Sequence, residues 1–206
     1  MRILPLFLHL PGIFLAYTIH EYIKARASCS LGDIKPKIDK RLSLNPAGHF
    51  ELMGFICLFI WGVGWGKPVE THSFRYKDRK LGTLMVYLLP SVVNLFIGLI
   101  FGLAAFLTRM GFYEPVQLKD NIYYIIYFFL LQSARINISY AVFNIIPVYP
   151  LDGARVLAAL KPAAGVFITR FEKVLQVMLM LMIFTGVIGA SGLTGFISNT
   201  ILSFAM

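Results

Sequence analysis

Residues 3–24 read ILPLFLHLPGIFLAYTIHEYIK, and the fold class turns on them. From Ile3 to Ile23 the chain is predominantly apolar over about twenty residues, the length a helix needs to cross the hydrocarbon core of a bilayer. The stretch closes on His20-Glu21-Tyr22-Ile23-Lys24. These five residues match the pattern H-E-x-x-H at every required position but the last. In that pattern two histidines on one helix face bind zinc and the glutamate serves as general base. Lys24 stands at the fifth position, and an ammonium has three donors and no lone pair for a metal. Only Arg2 provides a basic start, and the segment ends on polar rather than small residues. It is therefore expected to be a retained span and not a cleaved signal peptide.

Composition places the whole chain in the same class. Of 206 residues, 58% are apolar and 14% charged, with a mean hydropathy of +0.73. Soluble domains run nearer 45–50% apolar and about 25% charged. The sequence thus predicts an all-α polytopic membrane protein of about four to six transmembrane or re-entrant helices, forming one integral membrane domain over residues 1–206. Cys29 and Cys57 offer no disulfide framework and read as unpaired thiols. The net charge of +9 is better explained by the bilayer than by nucleic acid, which is not expected as a partner.

Fifteen of the 19 Lys and Arg fall in three groups, Lys24–Arg41, Lys67–Lys80 and Arg155–Lys173; the others are Arg2, Arg109, Lys119 and Arg135. The positive-inside rule puts those three groups in the cytoplasm, so the His20-Glu21 end of the first span lies at the cytoplasmic face. Phe50–Gly66 is apolar but short, is broken by Gly54, Gly62 and Gly64, and has basic flanks on both sides, which predicts a re-entrant or interfacial hairpin. Leu81–Leu107 crosses outward and Asn121–Ile146 crosses back. From Val174 onward the glycines leave one broken span or two short ones equally open. Segment 28–49 carries the turn signals Gly32-Asp33, Lys35-Pro36 and Asn45-Pro46 between alternating stretches. It is read as a small β-rich segment at the membrane surface, suited to pairing with an extended substrate, or else as a basic loop on anionic headgroups.

A second cluster, Phe143-Asn144-Ile145-Ile146-Pro147-Val148-Tyr149-Pro150-Leu151-Asp152-Gly153, breaks the last long span, because Pro147 and Pro150 remove backbone donors. Asp152 is a carboxylate at membrane depth and needs a cation or metal as partner. His9 reads as a hydrogen-bonded packing residue. Arg135 and Asn137, inside a hydrophobic stretch, point either to a polar pocket or to an internally satisfied pair.

Together, His20-Glu21-Tyr22, Leu31-Gly32-Asp33, LSLNPAGH at 42–49, Gly64-Trp65-Gly66-Lys67-Pro68-Val69, Pro90 to Asn94 and the 143–153 cluster resemble the site-2 protease family of intramembrane metalloproteases. The resemblance implies a helical membrane domain, with zinc held by two histidines and an aspartate and a water activated by glutamate. It also implies cleavage of membrane-spanning substrates near the cytoplasmic face of the cell membrane. Carried onto this chain, His20 and Asp152 are metal ligands, Glu21 is the catalytic base, and Asn94 and Asn144 hydrogen-bond substrate or the site. The second histidine ligand falls on Lys24, where the match fails; Leu89 also replaces a common glycine. Three outcomes follow. His49 replaces the missing ligand and the protein is an active zinc endopeptidase. Or Lys24 supplies the positive charge between Glu21 and Asp152, no zinc is bound, and the protein holds transmembrane substrates or membrane-protein partners without cutting them. Or Lys24 snorkels to the headgroups and the site is simply decayed.

Overall fold

The apolar run at the N-terminal end continues as one helix, α1 (Leu4–Ser30), in the computed structural model. The structure describes residues 4–61, 63–111, 122–189 and 191–206; Arg2, Gly62, Lys119 and Asn121 lie outside them. Helix α1 runs past Ile23 because Lys24 to Ala27 are good helix formers and no breaker occurs before Gly32. Gly32 ends it with φ of 103°. Its N–H donates to the Cys29 carbonyl (3.1 Å) and that of Asp33 to the Ser28 carbonyl (3.2 Å), the paired bonds of a left-handed helix end that favours glycine.

The β-rich segment expected near residues 28–49 does not form; no strand occurs among the described residues. Two single-turn helices, α2 (Lys35–Ile38) and α3 (Pro46–His49), take its place. The prolines read as turn signals instead open helices, since a missing N–H costs nothing in a first helical turn. Asn45 caps α3 by accepting from the Ala47 N–H at 3.1 Å.

The hairpin expected over Phe50–Gly66 is present. Helix α4 (Leu52–Trp61) runs out and an extended limb returns beneath it. A Cβ at Gly54 would sit 1.9 Å from the Trp65 carbonyl oxygen, and one at Gly64 would sit 2.0 Å from that of Gly54. The limbs touch backbone to backbone, which only glycine permits. The return limb rejoins its start where the Lys67 N–H donates to the His49 carbonyl at 2.8 Å.

After a 3₁₀ turn at Ser73–Arg75 come α5 (Arg79–Gly111) and α6 (Ile122–Ile145). Both are long and apolar enough to cross a membrane. Helix α5 is patterned inside out. Met85, Leu89, Val92, Phe96, Ile100, Leu103 and Leu107 recur at helical spacing and are exposed, Ile100 to 67%. Gly82, Ser91, Asn94, Gly98 and Gly102 face inward. Large apolar residues outside and small or polar ones inside is the arrangement of a helix whose outer solvent is lipid.

The chain continues through α7 (Asp152–Leu160), α8 (Pro162–Arg170), α9 (Glu172–Phe184) and α10 (Leu193–Ile201). The apolar tail thus resolves into two short helices. Helix α6 is the hub: Ile136 and Tyr140 join one apolar cluster with α1 and α4, Phe143 a second with α9, and Ala134 and Ile138 a third with α5 and Leu202. Gly12 on α1 and Gly98 on α5 let those helices close on α6; their Cβ positions would lie 3.0 Å from Ser133 Cα and 2.5 Å from Ile138 Cγ1.

Candidate functional site

His20, Glu21 and Lys24 lie within one turn and a half of α1, so i, i+1 and i+4 share an inward sector of the helix. All three are buried, at 0%, 4% and 3% exposure. The sector faces the N-terminal end of α7. Pro147 prevents α6 from continuing past Ile145. The chain then turns tightly, with Val148 N–H on the Ile146 carbonyl (2.8 Å) and Leu151 N–H on that of Val148 (2.9 Å). Helix α7 starts at Asp152, and its first-turn carboxylate complements the helix dipole. Gly153 seats this turn on α6: a Cβ there would lie 2.0 Å from the Ile145 carbonyl oxygen.

The result is a closed charge cluster spanning 132 positions of sequence. His20 Nε2 lies 2.9 Å from Asp152 Oδ2. Lys24 Nζ lies 2.9 Å from Glu21 Oε1 and 2.8 Å from Asp152 Oδ1. The other Glu21 oxygen accepts the Val69 backbone N–H at 2.9 Å. Each carboxylate is therefore engaged on both oxygens, and the ammonium bridges them. Such a cluster is tolerated in a buried site because every charge has an opposite at hydrogen-bond distance.

Residues that sequence reasoning did not single out complete the site. The Tyr140 ring stands edge-on to His20 (centroids 5.1 Å apart), and its hydroxyl accepts the Gly66 N–H at 3.1 Å. The Tyr87 ring lies 5.8 Å from Lys24 Nζ. The glycine-rich run 64–69 was a signal for the close approach of Val69; nothing in the sequence marked Tyr87 or Tyr140.

Asn94 is fully buried and joins three helices, donating to the Ala16 carbonyl of α1 (2.9 Å) and to Asn137 Oδ1 of α6 (3.4 Å). Asn144 donates to the Tyr140 carbonyl on its own helix at 2.9 Å. Neither is hydrogen-bonded to the charge cluster. His49 is not hydrogen-bonded to it either. Its Nε2 donates to the Ser43 carbonyl at 2.6 Å, and burial, aided by nearby Arg41, holds the ring below the usual histidine pKa. Arg41 clamps this region by donating to the Gly48 and Lys67 carbonyls.

A second anchored carboxylate, Asp33, collects the Ser28 hydroxyl (2.9 Å) and the backbone N–H groups of His72 (2.7 Å) and Lys35 (3.0 Å). Burial raises its pKa, but these donors outweigh burial and leave it below the ordinary aspartate value. It fastens the end of α1 to the limb that carries Val69.

The donor set does not fit a zinc site. His20 and Asp152 are bonded to each other, and the remaining position is filled by an ammonium with no lone pair. No group of three or more His, Cys, Asp or Glu able to hold a metal occurs among the described residues.

An all-helical chain with His-Glu on one helix meeting an aspartate from a proline-broken segment is the arrangement that the resemblance to the site-2 protease family implies. The profile of peptidase family M50, the site-2 protease family, matches residues 12–186, and the chain belongs to that family. The Bacillus subtilis (strain 168) protein named "Putative zinc metalloprotease YwhC" is 27% identical over 151 residues, covering 73% of this chain and 67% of its own. No solved structure matches.

Proposed function

We propose that this protein is a metal-free, proteolytically silent member of the site-2 protease family that binds transmembrane segments of substrates or membrane-protein partners. The observation that carries this reading is Lys24 Nζ, 2.9 Å from Glu21 Oε1 and 2.8 Å from Asp152 Oδ1. A hydrolytic zinc site needs three ligands, a bound water and a base free to take its proton. Here one ligand position is an ammonium, and the base Glu21 is occupied by Lys24 and Val69. Asp152 keeps its place as a structural partner of Lys24, and His20 as the partner of Asp152. The whole of residues 1–206 acts as one multi-pass domain of the cell membrane, with α1, α5 and α6 as spans, α4 as a re-entrant hairpin and the charge cluster toward the cytoplasm. Asn94 and Asn144 serve this domain as internal hydrogen-bond anchors.

Metal analysis of the purified protein tests the proposal. Wild type is expected to carry no stoichiometric zinc, and Lys24→His to acquire about one zinc per chain, as the restored ligand triad demands. One zinc per wild-type chain, lost on His49→Ala, would establish instead an active endopeptidase with His49 as replacement ligand.

A further inference from the structure

An arginine lies inside α6 with no carboxylate among the described residues to pair it. Arg135 is ten residues from the end of α6 at Ile145 and thirteen from its start at Ile122. At 1.5 Å per residue it is about 15 Å or more from either end, too deep for a lipid headgroup. Its Nη1 donates to Gln132 Oε1 at 2.9 Å and its Nη2 approaches the Met206 thioether at 2.9 Å. Its Nε is buried with no hydrogen-bond partner. Gln132 passes the polarity on, donating its amide to His9 Nε2. No carboxylate among the described residues lies within ion-pair distance of Arg135. Charged groups at membrane depth are costly and are ordinarily paired or placed on a functional path.

Beside the guanidinium is an open cavity of about 340 Å³ between α1, α4, α6 and α10, within the range of ligand sites. Gln132, Arg135, Ser139, Ser198 and Asn199 give it a polar floor, and Leu58 and Ile60 an apolar wall. The cavity thus joins a cation with spare donor capacity to apolar surface at bilayer depth, and none of His20, Glu21, Lys24 and Asp152 lines it.

We propose that this cavity docks a partner's transmembrane helix through an aspartate or glutamate near its midpoint, which pairs with Arg135. Charge complementarity selects this occupant, because a carboxylate supplies the opposite charge that the cavity lacks and accepts from the Nη1 and Nη2 hydrogens that Gln132 and Met206 leave unused. The inference deepens the binding function proposed above and rests on it for the partner being transmembrane.

The test uses the full chain in proteoliposomes and labelled polyleucine helices bearing a central Asp, Asn or Leu, with association read by energy transfer. The Asp helix is expected to bind wild type about tenfold tighter than the Leu helix, a difference of about 1.4 kcal/mol. Arg135→Gln removes the preference and Arg135→Lys retains it. Equal binding of the three helices to wild type overturns the inference, yet leaves the transmembrane-partner reading standing. No binding of any helix overturns both. A preference that survives in Arg135→Gln overturns the assignment to Arg135. The wild-type comparison needs no variant, so misfolding of a variant cannot decide the result.

Discussion

Replacing Lys24 by Met keeps most of the side-chain volume and removes the charge, and the structure sets the size of the effect. Lys24 is 3% exposed and contacts two carboxylates that are themselves 4% and 5% exposed. Asp152 would retain His20, and Glu21 would retain the Val69 N–H, but the bridging cation would be gone. Removing one partner of a buried ion pair typically costs about 3–5 kcal/mol. For a chain of this size that corresponds to a fall in melting temperature of about 10 °C. Thermal unfolding in detergent, followed by circular dichroism or protease susceptibility, reads it directly. Lys24→Met combined with Asp152→Asn should cost less than the sum of the two single changes, because the second removes the charge that the first strands. A single-variant loss below about 1 kcal/mol, the value of a surface ion pair, with strict additivity in the double variant, would refute the bridge. It would mean that Lys24 snorkels to the headgroups.

Further outcomes follow from the same contacts. Asp33→Asn should cost about 1–3 kcal/mol near neutral pH, from weakened acceptance of three donors by a buried side chain. Because the folded pKa of Asp33 lies below its ordinary value of about 3.9, its stabilisation is complete above that pH. It is lost as pH falls through the lower folded value, so unfolding curves of variant and wild type should converge in acid. Gly153→Ala should destabilise by about 1–3 kcal/mol or more, since the neighbour of the new Cβ is the Ile145 backbone carbonyl rather than a side chain that can turn away. Tyr140→Phe strands the Gly66 N–H at a cost of about 1–3 kcal/mol; loss of hydrogen-exchange protection at Gly66 checks it.

The fold was legible where the signal is local. The apolar lengths of 81–107 and 121–146 announced α5 and α6, because the run needed to span hydrocarbon is a property of consecutive residues. Pro147 and Pro150 announced the break before Asp152 for the same reason, since a missing N–H acts on its own turn. The glycines of 54–64 announced a doubled-back hairpin, as close backbone approach excludes a Cβ. Segment 28–49 misled because Pro36 and Pro46 fit a turn and a first helical turn equally well. The choice fell to Asn45 as a cap and to Asp33 anchoring the chain to His72, a partner 39 positions away.

His20, Glu21 and Lys24 on one helix, and an aspartate needing a cation, were determined by the sequence itself, since a helix fixes which neighbours share a face. That Lys24 is the cation Asp152 meets was decided only by tertiary structure. The contact spans 128 positions and exists because α1 and α7 both pack against α5 and α6. Local periodicity orients a side chain, but the packing of distant helices chooses what it touches.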